Sequence, residues 1–158
     1  FLIKYNKPYQ KMKAIVNLAQ RVKSLSIDDM LHELSEHVEF TDYIIELNTI
    51  NQLYDKGIDA KGERIGSYSP KTKAIKNANG EISDHVTLLD TGKFYESFRV
   101  FLQGSDLIIS AETIKDTDDL IFKYGQDILG LNEDSLEKLR LKAKLILIPY
   151  VKSIIFRR

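Results

Sequence analysis

Arg99-Val100-Phe101-Leu102-Gln103, Gly104-Ser105, Asp106-Leu107-Ile108-Ile109-Ser110 is the clearest strand signal in the chain. Two five-residue runs rich in branched and aromatic side chains flank a two-residue turn. Glycine at the first turn position suits a type II′ hairpin, which sets Leu102 opposite Leu107 and Val100 opposite Ile109. Around this hairpin, about residues 98–111, apolar residues recur at helical spacing. The predicted class is therefore α+β: long N-terminal helices packed with a small antiparallel sheet and a C-terminal helix, with an extended arm at about 57–80. The 158 residues suit one domain with basic N- and C-terminal extensions. A chain of this length buries roughly 68–70% of its unfolded surface.

Upstream of the hairpin, Asp90 or Thr91 is expected to cap a short helix carrying Phe94, Tyr95 and Phe98. Met12, Ile15, Val16, Ala19 and Val22 share one face of an earlier helix. Ser26 with Asp29 three residues on resembles a capping box. The helix it opens runs through Met30, Leu31, Leu34 and Val38. Ile44, Leu47, Ile50 or Asn51, and Tyr54 continue it, with a break near Phe40 to Asp42 and an end at Lys56-Gly57, so it is one long helix or two in tandem. The arm holds four of the eight glycines, and Ser69-Pro70 starts about one helical turn through Thr72 and Ile75. Downstream, Leu120, Ile121 and Tyr124 form a helix that Gly125 stops. Asn132 opens the last helix, with Leu136, Leu139 and Ala143 following, and Pro149 is expected to end or kink it.

The charge is balanced overall, 23 basic against 23 acidic residues, but not locally. Residues 1–23 carry six basic and no acidic groups, residues 28–55 eight acidic and no basic, and residues 138–158 seven basic and no acidic. Such blocks attract each other within one fold or across copies. With 43% hydrophobic residues the chain folds. Lacking cysteine, it has no disulfide, thiolate metal site or thiol nucleophile. No secretory signal pattern opens the sequence, which starts on Phe1. The apolar run Leu145–Phe156, interrupted by Pro149 and Lys152, is too short to span a bilayer.

Catalytic patterns fail on spacing. His32 and His37 are five apart, which turns them about 140° away from each other on a helix, so the metalloprotease pairing is excluded. His32 and Glu36 read as surface polar residues of an acidic helix. His85 has no nucleophile or orienting carboxylate to nominate beside it. Gly57 to Gly62 has the glycine spacing of a phosphate loop, but Glu63 and Arg64 stand where lysine and a hydroxyl are needed. Asp116, Asp118 and Asp119 imitate a calcium loop without its glycine and closing glutamate, and read as a solvated turn. No catalytic, cofactor or metal set is expected. Lys56, Lys61, Arg64, Lys71, Lys73 and Lys76, with Tyr68 among them, could follow a phosphate backbone, although one aromatic is a poor stacking platform.

Three stretches carry a resemblance: Gly66-Ser67-Tyr68-Ser69-Pro70-Lys71-Thr72-Lys73-Ala74-Ile75-Lys76, then Leu88-Leu89-Asp90-Thr91-Gly92-Lys93-Phe94-Tyr95-Glu96-Ser97-Phe98, then Phe122-Lys123-Tyr124-Gly125. Their order resembles that of tailed-bacteriophage neck and tail-completion proteins, the virion morphogenesis family, over about residues 44–131. Leu89 to Gly92 with the following Tyr95 and Ser97 is the most distinctive piece. The chain departs from the family after Gly125, where Gln126 to Asn132 leads into another helix.

The resemblance implies a structural protein forming a ring in the neck or at the tail top, with no catalysis. Its partners would be copies of itself and other phage neck or tail proteins, with transient DNA contact, no membrane and no small-molecule substrate. Its place would be the virion, and the host cytoplasm during assembly. The implied interface residues are Tyr68, Lys71, Thr72, Lys73, Lys76, Asp90, Thr91, Gly92, Tyr95 and Tyr124. A cyclic ring needs two different complementary surfaces per copy. The acidic face around residues 28–55 is expected to meet a neighbour's basic terminus or arm. The alternative is a small DNA-binding accessory module using the basic arm and termini.

Overall fold

The hairpin forms in the expected register. In the computed structural model, which describes residues 7–115 and 118–156, β1 (Arg99–Gln103) pairs antiparallel with β2 (Asp106–Ser110), with Val100 opposite Ile109 and Leu102 opposite Leu107. Gly104 has φ +62° and Ser105 does not share the left-handed region, as a type II′ turn requires. Val100, Leu107 and Ile109 face inward against Leu34, Phe40 and Ile44, and Leu139, Ala143, Ile146 and Leu147 close the same core from the C-terminal side. The architecture is α+β.

Helix α1 spans Lys7–Lys23. Helix α2 (Ile27–Glu36) starts where Ser26 accepts the Asp29 N–H at 2.9 Å, and α3 (Val38–Glu46) follows after one extended residue, His37. The break therefore lies at His37 rather than at Phe40 to Asp42. Phe40, 1% exposed, is instead a core anchor inside α3. Residues Leu47–Tyr54 then wind as a π-helix, with the Asp55 N–H reaching the Ile50 carbonyl five residues back. This wider turn rotates the buried face. Asn48, Thr49, Gln52 and Leu53 turn inward, and Ile50, expected inside, lies at the surface.

The arm is less extended than its composition implies. Ser69 accepts the Thr72 N–H, Pro70 occupies the first turn, and α4 runs over Pro70–Ala78, longer than the single turn expected. Helix α5 (Lys93–Glu96) is short and brings Phe94 and Phe98 edge to face at 5.0 Å. Phe98 is buried with Leu53 and Ile128 in a second core that shares Ile109 with the first. Neither Asp90 nor Thr91 caps α5; the N-cap is Gly92 at φ +87°, with no side-chain cap bond. A left-handed glycine lets the chain turn straight into the helix.

A two-residue ribbon, β3 (Ile114–Lys115) with β4 (Asp118–Asp119), forms at the expected solvated turn, and Asp118 and Asp119 are exposed. Asp119 then caps α6 (Leu120–Tyr124), which Gly125 stops. Asn132 accepts the Ser135 N–H and opens α7 (Glu133–Ile155). Pro149 does not end α7. The proline removes one N–H donor, and the carbonyl it orphans belongs to Leu145, on a stretch open to water. Lys142 lies 3.6 Å from Glu39 and Lys56 3.8 Å from Asp134, so opposite charge blocks meet inside one chain. No described helix is long and apolar enough to cross a membrane. Phe1, Lys4, Asp116, Arg157 and Arg158, and the side chain of Met12, lie outside the described residues.

Candidate functional site

The three stretches that carry the resemblance close on one cleft of about 480 Å³. Tyr68, Thr72 and Lys76 form the arm side, Asp90, Thr91 and Gly92 lead into α5 along another, and Leu120 and Tyr124 of α6 complete the third. Apolar Val86, Leu88, Leu89 and Phe94 line it between charged groups of both signs, Lys76, Lys93 and Lys123 against Asp90, Glu112 and Asp118.

Thr87 holds two of these walls together, the arm and the segment leading into α5. It is buried, and all three of its hydrogen-bonding groups are engaged. Its N–H donates to the Tyr68 hydroxyl at 3.1 Å, its hydroxyl lies 3.0 Å from the same oxygen, and its carbonyl accepts the Tyr95 O–H. The next residue, Leu88, sits at φ +56°, a conformation a branched side chain adopts only under constraint. Tyr95, expected at an interface, is therefore turned inward, and burial pushes its phenol well above the ordinary tyrosine range. Lys71 and Lys73 do not line the cleft.

Lys76 pairs with Glu81 at 2.6 Å and stands 5.2 Å from the Tyr68 ring centre. The hydrogen bond to Glu81 holds the ammonium above its usual range and the Glu81 carboxyl below its own. Lys61 is likewise tied to Asp127 at 2.5 Å. Lys56, Lys61 and Lys76 thus have acidic partners in the chain, which leaves Arg64, Lys71 and Lys73 as the arm's unpaired cations among the described residues. The Gly57 to Gly62 segment is no phosphate cradle: the Asp59 carboxylate fills it, accepting the N–H groups of Lys61 and Glu63 at 2.9 Å each.

Sequence reasoning weighed His85 and missed its setting: the ring is buried. Its Nε2 lies 2.8 Å from the Tyr54 carbonyl and its Nδ1 2.9 Å from Asp84, so a carboxylate does stand beside it. Gly57 makes room for the ring: a Cβ there would lie 2.4 Å from His85 Cδ2. Both nitrogens are committed to structural partners. His32 and Glu36 are exposed on α2, and among the described residues no cluster of three His, Asp or Glu is placed to hold a metal ion. Asn48 and Gln52 were also missed. Two amides four residues apart inside an apolar helical register were the available signal.

Comparison with known protein families, with characterised proteins and with solved structures finds no match for this chain.

Proposed function

We propose that the chain is a structural component of a tailed-phage virion, assembling as a ring in the neck or at the tail top, and that it acts through its surfaces without bond-making chemistry. The observation that carries this reading is the convergence of residues 66–76, 88–98 and 122–125 on one cleft. These segments hold the family-like motifs and are separated in sequence, yet they line one cleft, and Thr87 ties the first to the second. The cleft mixes apolar lining with charges of both signs, which suits a protein segment better than a small substrate. The DNA-binding reading has less support, because Lys56, Lys61 and Lys76 already face carboxylates.

The test is deletion of the gene from the phage or prophage that encodes it. Filled heads and separate tails should accumulate, and imaging of complete particles should place the chain in the neck. Infectious, fully joined particles in its absence would defeat the proposal. A duplex-DNA complex at physiological salt that is lost on neutralising Lys71 and Lys73 would favour the alternative.

A further inference from the structure

Helix α1 has an apolar stripe that the other described residues leave exposed. Ile15, Val16, Leu18 and Val22 are between 41% and 65% exposed. Ile15, Leu18 and Val22 follow helical spacing along one stripe, the pattern of a helix that buries a face. Sequence periodicity places Ile15, Val16 and Val22 on one apolar face, and the fold leaves them exposed. A contiguous exposed apolar stripe of this kind marks a contact surface. At its C-terminal end α1 is held to α7 by Arg21, whose guanidinium donates to the Ile155 carbonyl at 3.1 Å.

What covers the stripe is narrowed by charge. Helix α1 carries Lys7, Lys11, Lys13, Arg21 and Lys23 and no acidic residue, so two copies of α1 laid together would repel. Helices α2 and α3 carry seven carboxylates and no lysine or arginine. The other basic blocks are already partly engaged: Arg140 with Glu133 and Glu137, Lys142 with Glu39, Lys61 and Lys76 in the arm.

A second groove, about 550 Å³, runs between the α2–α3 joint and the C-terminal half of α7. Glu33 and Glu39 stand on one side, with Leu145, Pro149 and Tyr150 on the other; Lys142 also lines the groove, 3.6 Å from Glu39, which leaves Glu33 as its carboxylate with no lysine or arginine partner among the described residues. Leu145 is 71% exposed, and Val38 at the start of α3 is 68% exposed. His37, in the groove wall, has a buried Nδ1 with no hydrogen-bond partner among the described residues. We propose that α1 of one copy docks in this groove of the next copy. The contact joins two different surfaces, so it propagates head to tail and can close into a ring. It rests on the self-assembly part of the function proposed above and specifies the basic terminus, rather than the arm, as what the acidic helices receive.

The cysteine-free sequence makes the test clean. Ile15→Cys, at an exposed position, is labelled with a photoactivatable benzophenone maleimide in the full chain. The labelled protein is mixed with isotopically heavy, unlabelled chain and irradiated. Adducts are expected between light and heavy chains, on residues 33–39 or 145–153. Adducts on the heavy α1, or no adduct between chains at the highest soluble concentration, would overturn the contact. Ile15→Glu with Val22→Glu should reduce any assembly to monomer in native mass spectrometry and leave the circular dichroism melt in place. Assembly unchanged by that pair of substitutions also overturns it. If cross-links fail while the chain is found in virion necks, this contact falls and the ring reading stands. If cross-links form while particles join without the chain, the reverse holds.

Discussion

Gln52 and Asn132, eighty residues apart, are joined by a 2.8 Å hydrogen bond from the Asn132 N–H to Gln52 Oε1, while Gln52 Nε2 donates to the Gly130 carbonyl at 2.9 Å. Asn48, one turn earlier, treats Ile128 and Gly130 the same way, donating to the first carbonyl and accepting the second N–H. Two side-chain amides thus stand in for a neighbouring strand along residues 128–132. Both are fully buried. The π-helical winding is what points them there, and it sets the start of α7, because Asn132 is the helix cap.

Gln52→Leu should therefore destabilise the fold by about 2–4 kcal/mol, since it leaves the buried Asn132 N–H and the half-buried Gly130 carbonyl without these partners. Urea unfolding followed by circular dichroism measures this. A loss under about 0.5 kcal/mol would mean that the amide clasp is dispensable.

Tyr95→Phe removes the O–H that binds the Thr87 carbonyl and should cost about 1–2 kcal/mol. The pH dependence has a definite sign. Burial raises the folded phenol above its ordinary value of 10.0, so the contribution is complete below that pH and is lost as the pH rises through the higher folded value. Wild-type stability should fall more steeply than that of the variant above about pH 10. Denaturant midpoints measured on both proteins through that range give the comparison.

Gly57→Ala combines a left-handed backbone at φ +62° with a collision against the His85 ring. The expected loss is about 2 kcal/mol or more. Adding His85→Ala should recover part of it, because the collision disappears and the backbone strain remains. Strict additivity of the two substitutions would show that the ring is not what Gly57 accommodates.

Pro149→Ala should stabilise the chain by about 1–3 kcal/mol, because the new N–H can reach the Leu145 carbonyl inside α7. Thermal melting reads the effect directly. An unchanged or lower melting temperature would mean that the helix is shaped around the proline.

The hairpin register, the Ser26 and Asn132 caps, the Ser69-Pro70 helix start and the Gly125 stop were legible because each depends on residues only a few positions apart. Tertiary contacts overrode the rest. The π-helical winding that points the two amides at residues 128–132 cannot be read from a periodicity that assumes 3.6 residues per turn. Pro149 stays helical, and the apolar face expected to pack on α1 is instead left exposed by the described residues. Of the residues expected at the interface, Tyr68, Thr72, Lys76, Asp90, Thr91, Gly92 and Tyr124 share the cleft, whereas Tyr95 supports it from beneath. Thr87, on which the walls depend, gave no signal, since a lone threonine in a loop has no pattern.

The Thr87 junction ties the arm, the residues leading into α5 and the tyrosines of two segments to a single buried point. A guest segment seating there, as proposed, would meet two walls already joined. Most of the entropy of ordering would then fall on the guest, which would favour docking by rigid complementarity over mutual folding.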